Sequence, residues 1–147
     1  MKRRTLLQFG GAVTALLVLT PLRALAAVWN KPAFEAQKID GALQGLGIVA
    51  SSNSADIELI APQVAENGAI VQIEVKSRIP GTEAIAILVE KNPTPLVANF
   101  MFSNGAEPYL VTRIKMAETS ELKAIVKVGG NYYSASRKVE VALGGCG

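Results

Sequence analysis

The chain contains a single cysteine, Cys146, which stands between Gly145 and Gly147 with Gly144 just before it. A thiolate is a strong nucleophile, and sulfur–sulfur bonds form and exchange readily, so this is the one side chain equipped for covalent chemistry. Glycine carries no Cβ and ranges freely over φ/ψ, so Gly144, Gly145 and Gly147 read as a thin arm holding the thiol away from any core. An extended chain covers about 3.3–3.6 Å per residue, which gives the sulfur a reach on the order of 17 Å from Val141. Two plainer readings compete: trailing residues of no consequence, or a cysteine that pairs between chains. A prenylation signal is excluded, because one residue follows Cys146 and not three. No base stands near Cys146 in the sequence. An ordinary exposed thiol titrates near about pH 8.5 and is only a few per cent thiolate at neutrality, so activation would have to come from outside the chain.

Little else in the sequence could do chemistry. There is no histidine, which removes imidazole bases and most zinc or copper sites, and one cysteine cannot complete a tetrahedral thiolate site. No metal or cofactor is expected. Glu118 and Glu121 read as surface solvation more than as an acid/base pair. Gln44-Gly45-Leu46-Gly47 follows a helix and not a strand, which argues against a phosphate loop. Asn92-Pro93-Thr94 fails as a glycosylation acceptor because proline is central. The chain is poorly equipped to be an enzyme alone.

The N-terminus reads as an export leader over residues 1–26. Lys2-Arg3-Arg4 is a basic opening, Phe9 to Leu19 an uncharged apolar run, and Ala24-Leu25-Ala26 a small-x-small cleavage site. The run is too short to cross a bilayer of roughly 30 Å as a permanent helix. Thr5-Leu6-Leu7 after the arginine pair, with Arg23 before the cleavage site, suits the twin-arginine route, although Lys-Arg-Arg also opens ordinary secretory leaders. Four of the 15 basic residues (Lys2, Arg3, Arg4 and Arg23) lie in this leader, leaving 11 against 12 acidic ones. The mature chain is therefore nearly neutral, with no electrostatic reason to bind nucleic acid or an anionic membrane. About 121 residues remain, enough for one domain with one core.

Those residues must build whatever positions the thiol. Residues 33–45 carry Phe34, Ile39 and Leu43 at roughly helical spacing, with Gly41 as a weak point and Gly45 or Gly47 as the stop, and predict a short amphipathic helix. Ser51 to Ser54 is a polar loop. The pattern then changes to period two: Ile57–Ala61, Val71–Val75, Ala84–Glu90, Leu96–Phe102, Tyr109–Met116, Leu122–Val128 and Tyr132–Val141 are seven strand candidates. Asn67-Gly68, Pro80-Gly81, Asn92-Pro93-Thr94-Pro95, Asn104-Gly105 and Gly129-Gly130 fall between them as turns. Short strands with hairpin connections predict an all-β fold, an antiparallel immunoglobulin-like β-sandwich. One strand departs from alternation. Leu96, Ala98, Phe100 and Phe102 form one apolar face, and Val97 and Met101 flank Asn99 on the other. Such a strand is either covered by the N-terminal helix or completed by a second protein.

The leader, the Ala-Phe-x-Ala of Ala33-Phe34-Glu35-Ala36 on a short helix, the sandwich and the terminal Gly144-Gly145-Cys146-Gly147 together resemble the SoxY family, the sulfur carriers of periplasmic thiosulfate oxidation. The family's usual ending has one more glycine. The resemblance implies a leader over 1–26, a sandwich domain with its helix over 27–142 and a carrier arm over 143–147. It implies Cys146 as the covalent attachment point for sulfur and Gly144, Gly145 and Gly147 as the arm. The implied partners are a SoxZ-like small β protein forming a heterodimer, a haem enzyme that conjugates thiosulfate to the thiol, a manganese-dependent hydrolase that releases sulfate, and a molybdenum-haem sulfane dehydrogenase. The competing class is an exported, non-catalytic immunoglobulin-like module whose tail cysteine forms an intermolecular disulfide. A stand-alone thiol oxidoreductase lacks its second cysteine.

Overall fold

Alternating apolar residues become sheets wherever each strand can bury one face, and here two sheets bury theirs against each other. The computed structural model describes residues 29–143. Nine strands follow two short helices: β1 Ser52–Asn53, β2 Ile57–Ile60, β3 Val64–Ala65, β4 Val71–Ser77, β5 Ala84–Val89, β6 Leu96–Met101, β7 Tyr109–Ile114, β8 Ser120–Val128 and β9 Asn131–Val141. The larger sheet runs β1-β9-β8-β5-β6, with β3 also paired to β9, and the smaller runs β2-β4-β7. All seven expected strands are present, and the class is the expected sandwich. The hairpin expected at Gly129-Gly130 joins the Val128–Asn131 pair, with Gly129 at φ 59°.

The two added strands, β1 and β3, are two residues each and pair with β9 in parallel. The polar loop expected over 51–54 therefore contributes a strand. Pairing there follows from β9 offering a free edge of N–H and C=O groups, which need partners whatever side chains the partner carries.

Between the sheets, Val71, Ile73 and Val75 of β4 meet Ile85, Ile87 and Val89 of β5 and Leu122, Ala124 and Val126 of β8. Burying each large aliphatic side chain contributes about 1.5–3 kcal/mol. β5 is buried at all six positions, because its other face is covered too. Ala86 and Leu88, with Leu96 of β6 and Ile125 of β8, pack under the helices through Ala33, Ala42 and Ile48, with Phe34, Ile39 and Leu43 around them.

The helix expected over 33–45 is two: α1, Lys31–Glu35, and α2, Ile39–Gly45. Pro32 sits in the first turn of α1, where its missing N–H costs nothing, so the helix starts earlier than read. Asn30 caps it by accepting from the Ala33 N–H (3.2 Å), and Trp29 stacks on Phe34 with ring centroids 4.3 Å apart, a hydrophobic staple. Ala36 leaves the helix at φ −61°, ψ 131°, and the chain folds back. The glycines read as weak points are the contact surface: a Cβ on Gly41 would lie 3.2 Å from Ala36 Cβ, and one on Gly45 would lie 2.7 Å from the Ala33 backbone. α2 ends in a Schellman cap, with Ile48 N–H donating to Leu43 C=O, Gly47 N–H to Gln44 C=O, and Gly47 at φ 73°. Gly-x-Gly is thus a helix stop and no phosphate loop.

The expected faces of β6 need correction. Ile87 pairs with Ala98 but Leu88 with Leu96, so Val97 is an extra, bulged residue. Leu96 therefore turns to the helix side, while Val97, Ala98, Phe100 and Phe102 pack towards the inter-sheet core. Of the apolar side chains of the strand only Leu96 joins the cluster under the helices, and Met101 is 69% exposed.

The helix pair generates a test with opposing terms. Alanine is the better helix former by up to about 1 kcal/mol, but at Gly45 its Cβ meets backbone that cannot step aside. Gly45→Ala is expected to lower stability by about 1–3 kcal/mol and to unstack Trp29, read by thermal melting and tryptophan fluorescence. An unchanged or raised melting temperature would show that α1 and α2 do not approach this closely.

Candidate functional site

Cys146, Gly144, Gly145 and Gly147 lie outside the described residues, so the structure defines the site by its root, the place where the chain leaves the sandwich. β9 carries the chain there. Along one edge it pairs with β8 as far as Val139, which faces Ser120. Along the other it meets β1 at Tyr133 and Ser134, then β3 at Glu140 and Val141.

Hydrogen bonds hold the chain as far as Leu143. Glu140 N–H donates to Gln63 C=O (2.9 Å), Ala142 N–H to Ala65 C=O (2.9 Å), and the Leu143 carbonyl accepts from Gly68 N–H (2.9 Å). On the opposite edge β8 has ended, and the Thr119 hydroxyl takes its place by accepting from Val141 N–H at 2.9 Å. Of the arm expected over 143–147, Leu143 is thus bonded to the domain, and 144–147 lie beyond what is described. Cys146 is three residues past Leu143, so its Cα lies at most about 11 Å from that of Leu143. The reach is shorter than an estimate from Val141 suggests, because the anchor lies two residues further on.

The clamp is supported in turn. Gly68 C=O accepts from Met116 N–H at 2.7 Å. Asn67 Oδ1 accepts from Ala69 N–H at 2.8 Å and shapes the turn that presents Gly68. Asn92, read only as a turn residue, bonds segment 115–117 through both ends of its carboxamide: Nδ2 to Lys115 C=O (2.8 Å) and Ala117 N–H to Oδ1 (2.9 Å). Thr119, Asn92 and β3 carry no sequence signal of this role, since the groups they satisfy are backbone.

Around the root the surface is unexpectedly apolar. Leu143 is 68%, Ile70 63% and Val64 50% exposed. Ile70 has the strand parity of Gln72, Glu74 and Lys76 on β4, positions that face outward and are otherwise polar.

The other polar groups do not assemble a catalytic site. Glu118 pairs with Lys91 (3.6 Å) and Glu121 with Lys123 (3.8 Å), so the two acids stand in separate surface ion pairs. Tyr109 donates to Glu74 (3.2 Å) on the outer face of the smaller sheet, and desolvation together with that carboxylate raises its pKa. This cluster lies at the end of β7 away from Met116 and the root. Among the described residues no group of three or more His, Cys, Asp or Glu side chains is placed to hold a metal ion, and no helix is long and apolar enough to cross a membrane.

Comparison with known proteins bears on most of the chain. The family model described as sulfur oxidation protein SoxY matches residues 44–146, a span that takes in Cys146. The chain is also similar to the solved structure of the sulfur carrier protein SoxY from Chlorobium limicola f thiosulfatophilum, with a TM-score of 0.65 and 38% sequence identity over 77% of this chain and 99% of that one. No curated protein matches.

The root yields its own test. Thr119→Val keeps the shape and removes the acceptor from Val141 N–H, leaving one backbone donor without its partner. The expected cost is about 1 kcal/mol, together with faster hydrogen exchange at the Val141 amide than in the parent. Exchange at Val141 that stays as slow as at Val139 would show that the Thr119 hydroxyl does not hold the chain.

Proposed function

The chain belongs to the SoxY family of sulfur oxidation proteins, and from that premise we propose that it is a sulfur carrier holding thiosulfate-derived intermediates covalently on Cys146 and presenting them to partner enzymes. The observation that carries this reading is the family match, which runs through Cys146, the only thiol in the chain. The 38% identical relative is named a sulfur carrier protein. We propose further that residues 1–26 direct export to the periplasm, where the carrier works.

The chemistry follows from what a lone thiol can do. In the loading step Cys146 Sγ would bond to the terminal sulfur of thiosulfate; the thiol gives up its proton, and the two electrons released would leave one at a time through the haem-containing conjugating enzyme. In the release step water adds to the sulfonate sulfur, the bond between it and the sulfane sulfur breaks, hydrogen sulfate leaves, and the sulfane sulfur takes a proton and stays on Cys146 as a persulfide. The manganese-dependent hydrolase carries out this step, and the sulfane dehydrogenase oxidises the sulfur that remains. Gly144, Gly145 and Gly147 serve by what they lack, since an arm passing through a narrow channel admits no side chain other than the cargo. The sandwich supplies neither base nor metal to these steps in this reading, so the chain acts as a carrier and not as an enzyme.

A SoxZ-like small β protein completes the carrier as a heterodimer, and β6 is the proposed contact. It ends the larger sheet, so one backbone edge has no neighbour within the sheet, and edge strands with open pairing groups are ready templates for a partner. Its exposed side chain is Met101, with Asn99 beside it, while Val97 packs inward at the bulge. A stable interface buries about 1,200–2,000 Å² in total, which requires more than this strand.

Two outcomes are expected. Cys146→Ser abolishes thiosulfate-dependent turnover and leaves the melting temperature unchanged, and intact mass of the parent protein from its native compartment shows sulfur or thiosulfate adducts on Cys146. A mass spectrum holding only free thiol and disulfide-linked dimer would favour the structural module instead. Met101→Lys weakens binding to the co-encoded β partner at least tenfold, or about 1.4 kcal/mol, without loss of cooperative melting. Unchanged affinity would move the interface away from β6.

A further inference from the structure

We infer that Asn104 is the site at which this chain spontaneously deamidates, and that the hydrogen bonds at the root of the tail keep its counterpart, Asn67, intact. Nothing in this depends on the carrier reading.

The chain holds two Asn-Gly pairs, Asn67-Gly68 and Asn104-Gly105, and each is followed by alanine. Asn-Gly is open to this reaction because glycine puts no Cβ in the way of its own nitrogen. The glycine nitrogen loses its proton to hydroxide and attacks Cγ of the asparagine. The side-chain nitrogen takes a proton from water and leaves as ammonia, and a five-membered succinimide remains. Water then opens either succinimide carbonyl, giving aspartate or isoaspartate. The net change is one water consumed and one ammonia released, with no oxidant, metal or enzyme. Asn-Gly-Ala at both places gives the two sites the same local chemistry, so the fold decides between them.

At Asn67 both reacting groups are held. Gly68 N–H donates to Leu143 C=O at 2.9 Å, and Asn67 Oδ1 accepts from Ala69 N–H at 2.8 Å. Gly68 is buried, and its carbonyl accepts from Met116 N–H at 2.7 Å. The nitrogen that must attack is therefore committed to another carbonyl. Freeing it means releasing the chain end beyond β9 as well as the turn.

Asn104 is placed differently. It and Gly105 are the central residues of a turn closed by Ala106 N–H donating to Ser103 C=O at 3.1 Å. Their φ values of 55° and 75° are the paired left-handed ones of a type I′ turn. Residues 103–106 are all exposed, and among the described residues nothing accepts from Gly105 N–H. A single turn bond, worth about 1 kcal/mol net, separates this conformation from an open one in which the nitrogen reaches Cγ.

The product carries a new carboxylate and, in the isoaspartyl form, an extra methylene in the backbone between β6 and β7. Gly105 lines a cleft of about 440 Å³ together with Arg78, Thr82 and Phe102. The modification therefore adds negative charge beside that cleft and leaves the anchor of the tail unchanged.

The test incubates the mature chain, purified from its native compartment, in warm, mildly alkaline buffer. Peptides are mapped for the amide-to-acid mass gain, and isoaspartate is counted with protein isoaspartyl methyltransferase. A parallel sample is kept in guanidinium chloride, which removes the fold and leaves Asn-Gly-Ala at both places. The expected result in the folded chain is conversion at Asn104 at least about tenfold faster than at Asn67, a barrier difference of about 1.4 kcal/mol. In denaturant the two rates converge. Equal rates in the folded chain, faster conversion at Asn67, or no conversion at Asn104 overturns the inference. The same difference persisting in denaturant overturns it too, because neighbouring residues and not hydrogen bonds would then set the order.

Discussion

The hydrogen bonds from segment 63–68 to Glu140, Ala142 and Leu143, with the Thr119 hydroxyl on the other edge, draw the boundary between sandwich and tail. Without them β9 would lose one edge of partners at its last residues, and the departure point of the chain would drift back towards Val139. The position of every later atom, Cys146 Sγ included, would then be referred to a looser origin. The bonds are ordinary in strength, each worth about 1 kcal/mol net. What matters is that they act in series on consecutive residues, so that no single one has to be strong.

Stability and function are divided along the same line. The larger sheet is dry on two faces at β5, against β4 and β7 on one side and the helix pair on the other, and this double burial gives the sandwich its core. The closeness of α1 to α2, which only glycine at 45 allows, is part of that coverage. In the proposed carrier reading none of these groups takes part in sulfur chemistry, which falls to Cys146, outside the described residues.

Much of this was legible in the sequence. Seven strands were visible because alternation such as Val71-Ile73-Val75 against Gln72-Glu74-Lys76 has one physical explanation, a half-buried strand. β1 and β3 were not, because two residues have no period, and the pairing of Ser52-Asn53 and Val64-Ala65 is dictated by the open edge of β9. The single helix became two because the sequence shows Gly41 and Gly45 as poor helix formers but not the neighbouring Ala36 and Ala33 that need their emptiness. The faces of Leu96–Phe102 were misread past one residue, since a bulge at Val97 shifts parity without leaving a mark in composition. Cys146 stood out by being alone of its kind. The clamp that holds the chain up to Leu143 did not, because Gly68, Thr119 and Asn92 act on backbone groups that every sequence possesses.

The placement of β9 has a consequence for how this protein is made. Among the described strands β9, bonded on both edges in the larger sheet, is the last to leave the ribosome, and its partners β1 and β3 wait for it from far earlier in the chain. The sheet cannot close until β9 has emerged, because its pairing with β1 joins Ser52 to Tyr133 across a long stretch of chain. A polypeptide that terminates early, before β9, lacks the cysteine and also the strand that ties the fold together. Chains cut short before β9 are therefore left open to proteolysis and do not persist as folded bodies without a thiol.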